Sequence, residues 1–466
     1  MEEFRPFCWE KEKKMAGSGL SYRVRLQDYV LTGEDGAPEA SMFSYSYLRD
    51  PAGAARPVMF CYNGGPGAAS GWLHMGLLGP QTVSLPGYPE LRAGGGYRLE
   101  ENAAFLADVC DIVLIDPAGT GYARLLDGEK AGKYYSTAGD AAAFARFISD
   151  YLRENGREDA DIYLLGESYG TIRNVALADA LPGWVKLRGI VSIGTSLNVG
   201  ARGTMYVEPN VRRLGANAAA CWYHRHRDEL PLEDFVGEAL SFAYGDYARA
   251  LLMGSRLPES ERDAALDALS RFSGLDRGFL SANRLRFGEV DFLLRLCPGE
   301  VVSAYDSRLT YRPGAAEGYE GAELGERAIA SLDLGKDALM NSAGPAFERA
   351  LREYSSAALA APEGREYRSD MLEIARRWDY RGYGKDTLEL PRELMEKNEK
   401  LRFLFVNGYY DLMSTFDFVL CYLAQYGLPP GRTECAVLPS GHAAYVGEGM
   451  SRELSGRIRE FIGKGS

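Results

Sequence analysis

Cysteine and histidine are scarce in this 466-residue chain, long apolar runs are missing, and positive charge is in deficit. The seven cysteines, Cys8, Cys61, Cys110, Cys221, Cys297, Cys421 and Cys435, are scattered, odd in number and without a CxxC pair. That pattern fits reduced, mostly buried thiols and speaks against a disulfide framework or a zinc site. No apolar stretch reaches the roughly 18 residues that a membrane-spanning helix needs. Residues 1–17, MEEFRPFCWEKEKKMAG, mix acids, bases and aromatics without the apolar core of a signal peptide, so cytoplasmic residence is the expectation. With 53 Lys and Arg against 65 Asp and Glu, the net charge is −12, which sets nucleic acid and anionic membrane surfaces aside as partners. What remains is ordinary globular composition, 46% hydrophobic and 25% charged, in a chain long enough for an α/β core carrying an insertion.

Periodicity divides the chain. SYRVRLQDYVL (21–31) and SMFSYSYL (41–48) alternate apolar and polar positions like half-exposed antiparallel strands. PVMFCYN (57–63), DIVLID (111–116), DIYLLG (161–166) and GIVSIG (189–194) are continuous apolar runs, as in strands covered on both faces. Between them, 137–155 places Ala142, Phe144, Phe147, Ile148 and Leu152 at helical spacing, and 171–181 follows the same period. Strands alternating with helices predict an α/β fold with a mainly parallel, doubly wound sheet. From about 201 to 389 the sequence turns to helical stretches rich in Arg, Glu, Ala and Leu. The strand and helix rhythm then returns with LRFLFVNG (401–408), a helix over 415–427, TECAVLP (433–439) and a terminal amphipathic helix near 450–463. The expectation is one core, 1–200 and 390–466, interrupted by a largely helical cap over 201–389.

Gly166-Glu167-Ser168-Tyr169-Gly170 is a GxSxG set directly after a predicted strand and before a predicted helix. In a chain with 54 glycines the pentapeptide says little by itself; its placement is what carries weight, because that context forces the serine out above the sheet. A serine nucleophile needs a base. Of His74, His224, His226 and His442, only His442 follows the last predicted strand, where a loop at the carboxyl edge of the sheet holds it over Ser168. Asp411 stands just after the preceding strand and would orient the ring, while Asp417 and Asp379 stay open as alternatives. His224 and His226 share a strand-like face but lack the further ligands of a metal site, and His74 is expected to be structural. Asn63-Gly64-Gly65-Pro66-Gly67, at the end of the strand PVMFCY, exposes backbone N–H groups suited to an oxyanion hole completed by Tyr169 N–H. No cofactor or metal is called for.

NGGPG, then DPAGTGYAR (116–124), GESYG, NGYYDL and SGH, in that order, resemble the serine carboxypeptidase family, more nearly its bacterial branch. The motifs span 38–445. The resemblance implies an α/β-hydrolase core and removal of C-terminal residues from peptides through an acyl-enzyme. Ser168 would be nucleophile, His442 base and Asp411 orienter, with Gly65 and Tyr169 N–H as the oxyanion hole. Asn63, Gly64 N–H and Glu167 would hold the terminal carboxylate of a peptide substrate. The chain departs from the family at Ala68-Ala69-Ser70, Ala123, Ser414-Thr415 and Ala443. Secreted members also pair the motif Glu with a second acid soon after NGGPG, where this chain reads GWLHMGLLGP. An esterase or acyltransferase on the same fold is the alternative, and a non-catalytic peptide-binding relative a third reading.

Overall fold

The computed structural model describes residues 4–49, 56–90, 96–197, 207–312 and 337–465. Nine strands form the central sheet: β1 (Cys8–Lys14), β2 (Ser21–Thr32), β3 (Pro38–Arg49), β4 (Val58–Tyr62), β5 (Asp111–Asp116), β6 (Asp161–Glu167), β7 (Lys186–Ile193), β8 (Arg402–Gly408) and β9 (Thr433–Leu438). Their spatial order is β1-β2-β3-β5-β4-β6-β7-β8-β9. The six from β5 to β9 run parallel to one another, and β1 to β3 attach antiparallel at one end. This is the α/β-hydrolase arrangement, and each strand that sequence reading placed lies within a few residues of its predicted bounds.

Alternation along the buried strands sends side chains to two separate cores. Met59, Cys61, Ile112, Leu114, Leu165 and Val406 face the terminal helix, and Phe60, Tyr62, Val113, Leu164 and Phe405 face the other layer. On that second face lie α1 (Thr137–Glu154) and α2 (Tyr169–Ala180). In α1 the buried stripe is Ala141, Phe144, Ile148 and Leu152, whereas Ala142 is exposed; alanine carries too little apolar surface to decide which side of a helix turns inward. Strand β1 had no counterpart in the sequence reading, because CWEKEKK alternates charges at an exposed edge and leaves no apolar stripe to see.

Within 201–389, residues 201–206 and 313–336 lie outside the described residues. Helices α3 (Leu214–Cys221), α4 (Leu232–Phe242) and α5 (Glu259–Ser273) share an apolar cluster of their own, which also takes in Tyr410, Leu412 and Phe416. Helix α6 (Gly344–Ala358) packs differently: Phe347, Leu351 and Tyr354 join Tyr47 and Leu73 on the sheet's first face. Helices α7 (Phe416–Tyr426) and α8 (Met450–Gly463) complete the chain. Cys61, Cys110, Cys221 and Cys421 are buried, while Cys8 and Cys435 are exposed. No helix of the described residues is long and apolar enough to cross a membrane.

Candidate active site

Parallel strands deliver their following loops to one edge, and the predicted site residues stand at that edge. Ser168 follows β6 and caps the N-terminus of α2 with φ 58° and ψ −123°, a conformation that strains a residue bearing a side chain. The turn is fixed by Ser168 N–H donating to the Ile193 carbonyl (2.8 Å) and by Thr171 Oγ1 donating to the Ser168 carbonyl (2.7 Å). Asp411 follows β8, and His442 follows β9. Their side chains meet at 2.9 Å between His442 Nδ1 and Asp411 Oδ2. Asp411 Oδ1 is held in turn by the N–H groups of Met413 and Ser414, so the carboxylate cannot swing away. The imidazole lies so close to Gly194, the residue after the Ser168 anchor Ile193, that a Cβ there would come within 2.9 Å of the ring. No hydrogen bond joins Ser168 Oγ to His442; such contacts often tighten only when substrate arrives.

The two other candidate acids are engaged elsewhere. Asp417 Oδ2 accepts from the N–H groups of Gly215 and Ala216 at the start of α3, and Asp379 Oδ1 accepts from Arg381 and Gly382 N–H. His224 Nε2 meets the Ser307 carbonyl, His226 stacks on Phe235, and His74 bonds Tyr47 in the core, where burial lowers its pKa to about 3. Among the described residues no group of three or more His, Cys, Asp or Glu is placed to hold a metal.

The NGGPG loop lies against the elbow. A Cβ on Gly64 would stand 2.4 Å from Tyr169 N, so only glycine permits this approach. Between 58 and 70 Gly65 alone is exposed. Its N–H has no backbone acceptor among the described residues. Tyr169, first residue of α2, has no preceding helical carbonyl for its own N–H. Two such donors beside a serine hydroxyl suit a developing oxyanion.

Asn63, Glu167 and the loop after His442 meet on the other side of the elbow. Asn63 Oδ1 accepts from Leu73 N–H (3.1 Å), which turns its Nδ2 onto Glu167 Oε2 (3.1 Å). Tyr445 Oη donates to the same oxygen at 2.7 Å. Burial raises the Glu167 pKa to about 7; His442 and the Tyr445 hydrogen bond oppose the rise, and the charges of Asp411 and Asp370 add to it. For His442 burial works downward, but the Asp411 charge and hydrogen bond, with Glu167 behind them, leave its pKa above the ordinary value.

Three residues of the site were not foreseen. Tyr445 is one, and its place three residues after His442 was the available signal. Tyr305, from the segment between the two halves of the core, accepts His442 N–H at its carbonyl (2.6 Å), and its ring centroid lies 5.4 Å from the imidazole. Asp370 is the third. It bridges antiparallel to Ala68, just beyond NGGPG, flanked by Ala69 N–H to the Ser369 carbonyl (2.8 Å) and Met371 N–H to the Gly67 carbonyl (2.9 Å). The stretch GWLHMGLLGP has no acid; Asp370 comes from far downstream and stands beside Ala68, just ahead of that stretch.

The family profile described as serine carboxypeptidase matches residues 25–181, from β2 through the elbow and α2. Over these residues the chain is similar to the serine carboxypeptidase family. It is a serine hydrolase. Among solved structures, a prohormone-processing carboxypeptidase of Saccharomyces cerevisiae superposes over 95% of this chain and 92% of its own, at 14% identity and a TM-score of 0.53, which shows a shared fold. A thermostable carboxyl esterase from Bacillus coagulans (11% identity, 94% and 98% covered, TM-score 0.39) is too distant to bear on chemistry. So is a proline iminopeptidase from Mycobacterium smegmatis (12%, 94% and 98%, TM-score 0.37). No curated protein sequence matches this chain.

Proposed function

We propose that this serine hydrolase is a carboxypeptidase that releases the C-terminal residue of peptides. Ser168 Oγ attacks the scissile carbonyl carbon as His442 Nε2 takes its proton, and Asp411 holds Nδ1–H and balances the imidazolium. The tetrahedral oxyanion accepts from Gly65 and Tyr169 N–H. Collapse breaks the C–N bond, and His442 returns the proton to the departing amine. Water then attacks the acyl-enzyme by the same route in reverse, regenerating Ser168.

The observation that carries the reading is Glu167: a buried carboxyl with a raised pKa, beside the nucleophile, with two donors on one oxygen and no protein partner on the other among the described residues. A carboxyl that keeps its proton can donate to a substrate carboxylate that an ionised one would repel. The Asn63 amide and Gly64 N–H supply the remaining donors. The test is to compare kcat/KM for an N-blocked dipeptide with a free C-terminus and for its C-terminal amide. A marked preference for the free carboxylate is expected. Equal rates, with faster turnover of small acyl esters, would make the protein an esterase or acyltransferase on this fold.

A further inference from the structure

Arg173 sits in the second turn of α2, wholly buried, with no part in the chemistry above. Its Nε donates to Oδ2 of the buried Asp140 on α1 (2.7 Å), and its guanidinium lies 4.5–5.1 Å from the ring centroids of Phe144, Tyr62 and Tyr169. Its Nη1 donates to the main-chain carbonyl of Asn63 at 2.7 Å. Stability gives only a weak reason for an ion pair in this place, because apolar side chains of similar volume often serve as well or better.

The Asn63 carbonyl and the Gly64 N–H belong to one peptide plane, and that bond is trans, so the two groups point in opposite directions. The Gly64 N–H has no backbone acceptor among the described residues. We infer that Arg173 is a positioning residue for the terminal carboxylate: by gripping the Asn63 carbonyl it aims the Gly64 N–H into the cleft and strengthens it as a donor. A cation on the carbonyl end polarises the amide, and linked hydrogen bonds reinforce one another where the dielectric is low. The oxyanion donor Tyr169 depends less on Arg173, since the neighbouring Ser168 N–H is fixed to β7 through Ile193.

The inference rests on the carboxypeptidase reading, and its experiment separates the two. In Arg173→Met/Asp140→Asn both buried charges are removed together, so neither is left unpaired. Three quantities are compared with wild type: kcat/KM for a blocked dipeptide with a free C-terminus, kcat/KM for an acyl ester with no terminal carboxylate, and the rate of fluorophosphonate labelling at Ser168. The free-carboxylate substrate should lose about tenfold, through KM, the order expected for one charge-assisted hydrogen bond. Ester turnover and labelling should stay within about twofold. Equal losses on both substrates would give Arg173 a purely structural role, and unchanged values on both would leave it none; either overturns the inference. A wild type indifferent to the free carboxylate would instead overturn the carboxypeptidase reading. Should the double variant fail to fold, Arg173→Lys serves. Its ammonium lacks the planar fork that reaches Asp140 through Nε and the Asn63 carbonyl through Nη1, so the grip on the carbonyl should loosen and the ratio of peptide to ester activity should fall; an unchanged ratio would refute the inference.

Discussion

Tyr445 Oη donates to Glu167 Oε2 at 2.7 Å, which ties the loop after His442 to the residue just before Ser168. Asn63 Nδ2 reaches the same oxygen, so segments from β4, β6 and β9 converge on one carboxyl group. With Oε2 accepting twice, the proton that Glu167 keeps near neutrality belongs on Oε1. His442 and Glu167 also feel each other's charge, so they titrate as a pair. On the proposed mechanism the productive form has the proton on Glu167 and a neutral ring.

Replacing Ser168 by Ala should lower kcat by a factor on the order of 10⁴–10⁶, and His442→Ala should match it. The two act as one unit, so the double variant should be no worse than either. Steady-state rates of the three variants check this; multiplied losses would separate the residues into independent roles.

The core was legible because its signals are local. DIVLID and DIYLLG are apolar without interruption since both faces of their strands are covered, and GESYG lies between a strand and a helix that can be seen in the sequence. Order along the chain selected His442 over three other histidines, and in the structure it meets Asp411 rather than Asp417 or Asp379. What stayed hidden depends on contacts between distant segments. Nothing around Asp370 announces that it bridges to Ala68, and nothing in TIRNVALADAL marks Arg173 as the partner of the Asn63 carbonyl.

The pH profile should divide by substrate. With His442 as the proposed base, catalysis on any substrate should need its neutral ring, and its raised pKa should set the acid limb. On the carboxypeptidase reading, peptides with a free C-terminus should also need protonated Glu167, so their kcat/KM should fall again as pH rises past about 7. An optimum between about 5.5 and 7.5 is expected for them, with esters keeping their activity on the alkaline side. Glu167→Gln retains a donor that cannot ionise and should flatten that decline for peptides while leaving esters little changed. A profile identical to wild type would remove Glu167 from carboxylate binding.

The same substitution makes a stability prediction that needs no substrate. In the folded protein Glu167 titrates near 7, against an ordinary value of 4.5, so between these pH values the native state holds more proton than the unfolded chain. Stability from this group is therefore present at low pH and is lost as pH rises from about 4.5 to about 7, by an amount on the order of 3 kcal/mol. Gln does not titrate. The melting temperature of Glu167→Gln relative to wild type should thus climb across that window and level off above it, as scanning calorimetry at several pH values would reveal. A difference independent of pH would mean that Glu167 is ionised throughout.

Tyr445 and Asp370 should move the alkaline limb in opposite directions. The Tyr445 hydroxyl stabilises the ionised form of Glu167 by donating to it, so Tyr445→Phe should raise the Glu167 pKa and carry the limb to higher pH. Asp370 lies at the rim with its side chain exposed, yet enough protein surrounds it to push its own carboxyl up to about 6. Where it is ionised it repels a charge on Glu167, so Asp370→Asn should lower the Glu167 pKa and bring the limb to lower pH. A general loss of packing would depress rates at every pH without this divergence. The measurement is kcat/KM for a free-carboxylate dipeptide from pH 5 to 9 in both variants. Shifts of the same sign would show that one of the two residues acts on a group other than Glu167.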